Sequence, residues 1–124
     1  MQSRAKRPAT VQRRRELFLE AISIVDVEYC EKVSLDEIAR RVATSRRQLQ
    51  RSFAEAGETS FRSYLQKVRM ERAAELLREG DSPVNRVATA VGYRQPAQFA
   101  KAFRRHHGAP PSAFRGVSAG QIAA

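Results

Sequence analysis

Within the stretch TSRRQLQRSF, residues 44–53, three side chains have the chemistry to read the edge of a base pair. They are Arg47, Gln50 and Arg51. If the stretch is helical, Arg47 and Arg51 stand one turn apart on one face, with Gln50 at its flank. Leu49 and Phe53 then fall on the opposite face, where they can anchor the helix. Arginine pairs in bidentate fashion with guanine O6 and N7, and glutamine with adenine N6 and N7. Ser45 and Arg46, at the helix start, suit phosphate contacts. Two arginines on a short helix are often no more than a solvated face, so the reading depends on what surrounds them.

The surrounding elements have helical period throughout, and alternation is weak. From Thr10 to about Glu31, the apolar residues Leu17, Ile22, Ile24, Val25 and Tyr29 predict a long helix with a buried stripe. Ser34-x-x-Glu37 reads as a capping box opening a short helix with Leu35, Ile38 and Val42 inward. Ser45 is the expected N-cap of the next helix and Gly57 its expected C-terminal stop. A helix of about twenty residues follows, from Thr59 to Gly80, with a length of roughly 30 Å. Ser82 as N-cap and Pro83 at the first helical position open another. A last helix has Pro96 in its first turn and Gly108 after its end, and APPSAFRG predicts a short closing turn.

The chain repeats itself. Ile38, Ala39 and Val42 recur 49 positions later as Val87, Ala88 and Val91, and Leu49 and Phe53 recur 50 positions later as Phe99 and Phe103. One residue is therefore inserted in the second turn. Arg51 corresponds to Lys101, and Arg47 to Ala97. A short helix, a tight turn and a second helix with a basic outer face form the helix-turn-helix pattern. Here it occurs twice, joined by one long helix. A connector of roughly 30 Å could set two recognition helices about one DNA turn apart, near 34 Å. A single chain could then bind an asymmetric site as a monomer.

Charge points the same way. Lys and Arg number 23 against 13 Asp and Glu in 124 residues, a net charge of +10. Such a domain expects a polyanion. Six basic residues (Arg4, Lys6, Arg7, Arg13, Arg14, Arg15) fall in the first fifteen, before any acid. Residues 1–9 are expected to form a basic arm, and 117–124 a tail. No apolar run approaches the roughly 18 residues of a membrane span, and the basic N-terminus lacks a signal's apolar stretch. The expected setting is cytoplasmic and nucleoid-associated. The single Cys30 permits no internal disulfide and is expected to pack near a helix end.

Three segments resemble the DNA-binding domain of the AraC/XylS family of bacterial transcription regulators. They are SLDEIARRVATSRRQLQRSF, RMERAAELLREGDSPVNRVATAVGY and QFAKAFRRHHGAPPSAFR. The most specific is the last, an aromatic-x-x-x-Phe followed by Gly-x-x-Pro and a closing aromatic-Arg. The resemblance spans roughly residues 15–115. It implies an all-α fold of about seven helices within residues 10–116. The first helix-turn-helix would lie at about 35–56, the linker helix at about 60–79 and the second unit at about 83–107. It also implies promoter binding and, usually, activation through RNA polymerase. By position, the family's base-reading sites fall on Arg47, Gln50 and Arg51, and in the second unit around Pro96, Ala97, Ala100 and Lys101.

The second unit departs from the family. Pro96, Ala97 and Ala100 offer no side-chain hydrogen bond, although alanine can touch a thymine methyl. The expectation is that the first unit carries most of the specificity. The second would clamp phosphates through Arg94, Lys101, Arg104 and Arg105, with DNA deformability contributing at its half-site. The chain also lacks the family's usual ligand-binding or dimerisation domain. It resembles the short stand-alone members and equally fits a piece of a longer protein.

The expected function is that of a sequence-specific double-stranded DNA-binding regulator, an activator by resemblance. A sequence-indifferent nucleoid-type binder, or an interaction module that has lost DNA binding, are the alternatives. Nothing predicts an enzyme, a cofactor or a metal site. There is no glycine-rich phosphate loop, no HExxH and no nucleophile beside a base. His106 and His107 are adjacent and point in different directions, a poor metal pair. At a helix end they suit the negative pole of the dipole, or a phosphate.

Overall fold

The computed structural model describes residues 7–116. The expected tail and residues 1–6 of the expected arm lie outside the described residues. Six α-helices and one 3-10 turn make up the regular structure described: α1 (Pro8–Glu28), α2 (Leu35–Arg41), α3 (Arg46–Gly57), α4 (Phe61–Glu79), α5 (Val84–Ala90), α6 (Pro96–His107) and the 3-10 turn Pro111–Phe114. The fold is all-α, two helix-turn-helix units joined by a long helix. Among the described residues, those up to Glu28 together with Val33–Tyr64 form one compact unit, and Tyr29–Lys32 together with those from Leu65 onward form the other. The first turn of α4 belongs to the first unit and the rest to the second.

The first unit is built on α1 packed along α3. Its core joins Leu17, Ala21 and Val25 to Leu35, Ile38, Ala39 and Val42, and to Leu49 and Phe53. Each fully buried large side chain contributes about 1.5–3 kcal/mol. Phe53 is the hub, with Phe18, Phe61 and Tyr64 around it at ring separations of 5.2, 6.0 and 6.3 Å. The buried stripe of α1 differs from the expected one: Arg14 and Ala21 lie inward, while Ile22, Ile24 and Tyr29 are half-buried. Arg14 lies inward because Glu55 of α3 meets its Nη1 at 2.6 Å. The helix also begins at Pro8, inside the stretch expected to be an arm.

The second unit has a single buried cluster. Met70, Ala73, Ala74 and Leu77 of α4 meet Val87, Ala88 and Val91, then Phe99, Ala102, Phe103 and Phe114. Here the closing signature does structural work. Phe114 stands edge-on to Phe103 at 4.9 Å. Arg115 donates from Nη1 to the Gly80 carbonyl, and the Gly116 amide donates to that of Leu77. Two carbonyls at the end of α4 are thereby satisfied. Arg69 of α4 donates from Nε to the Tyr29 carbonyl and from Nη2 to that of Glu31, tying segment 29–32 into this unit.

Helix ends follow the expected chemistry with three corrections. Ser34 accepts from the Glu37 amide and Ser45 from the Gln48 amide, both at 3.1 Å. The Glu37 carboxylate lies 3.8 Å from Arg41, the helical partner one turn on. The N-cap of α5 is Pro83, not Ser82, and no side chain caps it. The left-handed residue ending α3 is Glu58, not Gly57. Gly57 serves packing instead, since a Cβ there would collide with the Phe18 ring. Cys30 is exposed rather than packed, because it lies beyond the end of α1.

Candidate nucleic-acid interface

The two helix-turn-helix units reproduce each other in backbone detail. α2 and α5 have seven residues each, and α3 and α6 twelve. The turns begin alike, at Val42 (φ −98°, ψ 13°) and Val91 (φ −102°, ψ 13°). A left-handed residue follows in each, Ala43 (φ 60°) and Gly92 (φ 97°). Next, the Thr44 amide donates to Ala39 and the Tyr93 amide to Ala88, at 2.8 and 2.9 Å. The inserted residue comes after this shared hook, so it lengthens the approach to α6 without changing the turn.

The turn decides which side of α3 meets solvent. Leu49, Ser52 and Phe53 are buried, and Ser52 returns its hydroxyl to the Gln48 carbonyl. Arg47, Gln50 and Arg51 are exposed together on the other side. None of the three side chains makes a hydrogen bond or ion pair among the described residues. Arg46 is also exposed, but its Nη1 lies 3.1 Å from Oδ2 of Asp36 in α2. A phosphate reaching Arg46 therefore competes with a carboxylate. Ser45 is occupied as the helix cap, leaving its hydroxyl hydrogen free to donate.

In α6, Phe99, Ala102 and Phe103 are buried. Pro96 and Ala97 are exposed, Ala100 is half-buried, and Lys101, Arg104 and Arg105 are exposed. Arg94 is exposed in the turn before the helix. The last turn carries Arg104, Arg105, His106 and His107 at the negative pole of the helix. His107, expected to favour the negative pole or to touch a phosphate, turns its ring toward α4. Its Nε2 lies 2.9 Å from the Met70 carbonyl, and its ring packs at a tilt against Phe103 and Phe114, with ring centres 4.3 and 5.0 Å away. A carbonyl only accepts, so Nε2 carries the proton. Burial pushes the His107 pKa down, against the raising effect of that bond.

Three contributors were invisible as local pattern. Asp36 holds Arg46 across the turn. Arg14 fixes α3 through Glu55. Arg69 packs its guanidinium against the hook of the second unit, 5.8 Å from the Tyr93 ring and about 3.0 Å from where a Gly92 Cβ would stand. Burial lowers the Arg69 pKa from its ordinary value. Tyr93 follows the second hook as Thr44 follows the first, and that mismatch is the one sequence signal for this contact.

Comparison with known proteins agrees with this geometry. Residues 38–116 match a family model described as a helix-turn-helix domain. The regulator GbdR of Pseudomonas aeruginosa is 34% identical over 92 residues, 74% of this chain and 25% of that protein. The activator RhaS of Escherichia fergusonii is 32% identical over 94 residues, 76% of this chain and 34% of that one. The chain thus spans about a quarter to a third of the length of these relatives. A solved regulator with an AraC-type DNA-binding domain, from Chromobacterium violaceum, superposes with a TM-score of 0.77 at 30% identity. That match covers 81% of this chain and 89% of that one. Two matched turns, two recognition helices and these relatives agree: the chain belongs to the AraC family of helix-turn-helix, DNA-binding transcription regulators.

Proposed function

We propose that the chain recognises an asymmetric double-stranded promoter site as a monomer, with α3 and α6 entering successive major-groove segments. The observation that carries this is the contrast between the two outer faces. Arg47, Gln50 and Arg51 stand exposed on α3, while the same side of α6 offers Ala97, Ala100 and Lys101. In this reading Arg47, Gln50 and Arg51 read bases and supply most of the specificity. Arg94, Lys101, Arg104 and Arg105 grip phosphates, and the two alanines approach thymine methyls. Ser45 and Arg46 contact phosphate at the start of α3. The naming of RhaS as an activator supports the further proposal that the chain activates transcription through RNA polymerase, in the cytoplasm at the nucleoid.

Selection from randomised duplexes of about two to three turns, at near-physiological salt, tests the reading. The expected result is an asymmetric motif with a strongly specified half and a weakly specified half one turn away. Tight, salt-sensitive binding without enrichment would favour the sequence-indifferent binder, a second reading that the alanines of α6 keep in play.

A further inference from the structure

The first unit also contains a hollow that base reading does not use. It lies between α1 and α3, has a volume of about 310 Å³, and is lined in part by Val11, Arg14, Arg15, Phe18 and Leu19 of α1. Val11 and Leu19 leave 52% and 49% of their surface in solvent. They stand two turns apart along one edge, with Arg15 between them. Isolated exposed apolar side chains are ordinary. These two border a concavity whose wall includes the half-buried Phe18 and the pair of buried Arg14 with exposed Glu55.

Charge selects among occupants. Of the charged side chains lining the hollow, Arg14 is paired with Glu55, and Arg15 stands exposed as the cation offered to an occupant. A second copy would bring the same basic surface, on a chain of net charge +10, and be repelled. DNA would satisfy the arginines but leave Val11 and Leu19 against phosphate, with no apolar burial. A segment carrying both an apolar side chain and carboxylates uses every part of the hollow. We propose that this groove docks a short amphipathic, acidic segment of a partner protein. Its apolar side chain sits against Phe18 between Val11 and Leu19, and its carboxylates face Arg15.

The probe is a synthetic peptide of about 16 residues, with Leu at helical i, i+3, i+4, i+7 spacing and Glu or Asp elsewhere. The control is a scrambled peptide of the same composition. Each is titrated into the isotopically labelled full chain, followed by amide NMR shifts. Expected are saturable shifts centred on Val11, Arg15, Leu19 and Glu55, and an affinity about tenfold above that of the scrambled peptide. Leu19→Asp is expected to weaken the peptide by about tenfold or more and to leave duplex DNA affinity unchanged. Equal binding of the scrambled peptide would reduce the effect to diffuse attraction and overturn the proposal. So would shifts centred on Arg47–Arg51, absence of saturable shifts in the groove, or self-association of the chain there. None of these outcomes touches the base-reading proposal, which the duplex selection tests separately.

Discussion

Ala43 and Gly92 hold the same position in the two helix-turn-helix hooks, and both have left-handed backbone, at φ 60° and 97°. An L-residue in that region costs about 1–2 kcal/mol, because its Cβ crowds the following carbonyl. The first unit bears this strain and the second avoids it. Ala43→Gly is therefore expected to stabilise the protein by up to about 1 kcal/mol, the gain being trimmed by glycine's greater unfolded-state entropy. Gly92→Ala is expected to destabilise by about 1–3 kcal/mol, since the Arg69 guanidinium fills the space as well. Urea unfolding of both variants checks the pair. Equal and opposite small effects would mean that the hooks relax freely.

Base reading and phosphate gripping separate by their dependence on sequence. Arg51→Ala is expected to cost about 1–3 kcal/mol on the selected site and to relax preference at one base pair. Arg104→Ala is expected to weaken selected and random duplexes alike and to lower the salt slope by about one unit. Titrations of both variants on both duplexes at several salt concentrations give the answer. An equal loss for Arg51→Ala on random DNA would remove it from the base-reading set.

How much of this was legible in the sequence follows from the range of each interaction. The paired cores Ile38/Val87, Val42/Val91, Leu49/Phe99 and Phe53/Phe103 are all buried, and helical spacing alone places them. Ser34 and Ser45 cap as expected, because a cap is a contact three residues long. Long-range pairings were not legible. Arg14 finds Glu55 across 41 residues, Arg69 finds Tyr29 across 40, and His107 finds Met70 across 37. Each is a polar residue whose pattern reads as surface until its partner is known. For that reason the expectation for His107, the helix's negative pole or a phosphate, did not include its contact with Met70. Gly57 shows a subtler limit: glycine at a helix end suggests a left-handed cap, yet here it makes room for the Phe18 ring.

Asp36 is expected to tune DNA affinity through Arg46. The two side chains are 3.1 Å apart and more than half exposed, at 60% and 56%. An exposed pair of this kind adds at most about 1 kcal/mol to stability, and salt screens it. Its larger effect falls on binding, where the carboxylate competes with phosphate for the guanidinium. Asp36→Asn is expected to tighten binding to all duplexes a few-fold at low salt, with the gain shrinking as salt rises. Unfolding should shift by less than about 1 kcal/mol. A gain confined to the selected sequence would show that Arg46 reads a base.

His107 gives the second unit a dependence on pH whose sign follows from its burial. The ring is held among Phe103, Phe114 and the Met70 carbonyl, with His106, Arg78 and Glu71 as its charged neighbours. Burial, with smaller contributions from His106 and Arg78, lowers its pKa below the ordinary 6.5. The unfolded chain therefore takes up a proton before the folded one does. The stabilisation is fully present above pH of about 6.5 and is lost as pH falls toward the depressed folded value. Thermal unfolding between pH 7.5 and 5.5 should show Tm falling through this window. His107→Gln, which keeps a donor near Met70 but does not titrate, should flatten the fall while lowering Tm at neutral pH through lost ring packing. His106→Gln, at the exposed neighbour, should leave most of the fall in place. A fall that survives in His107→Gln at full size would assign it to other groups.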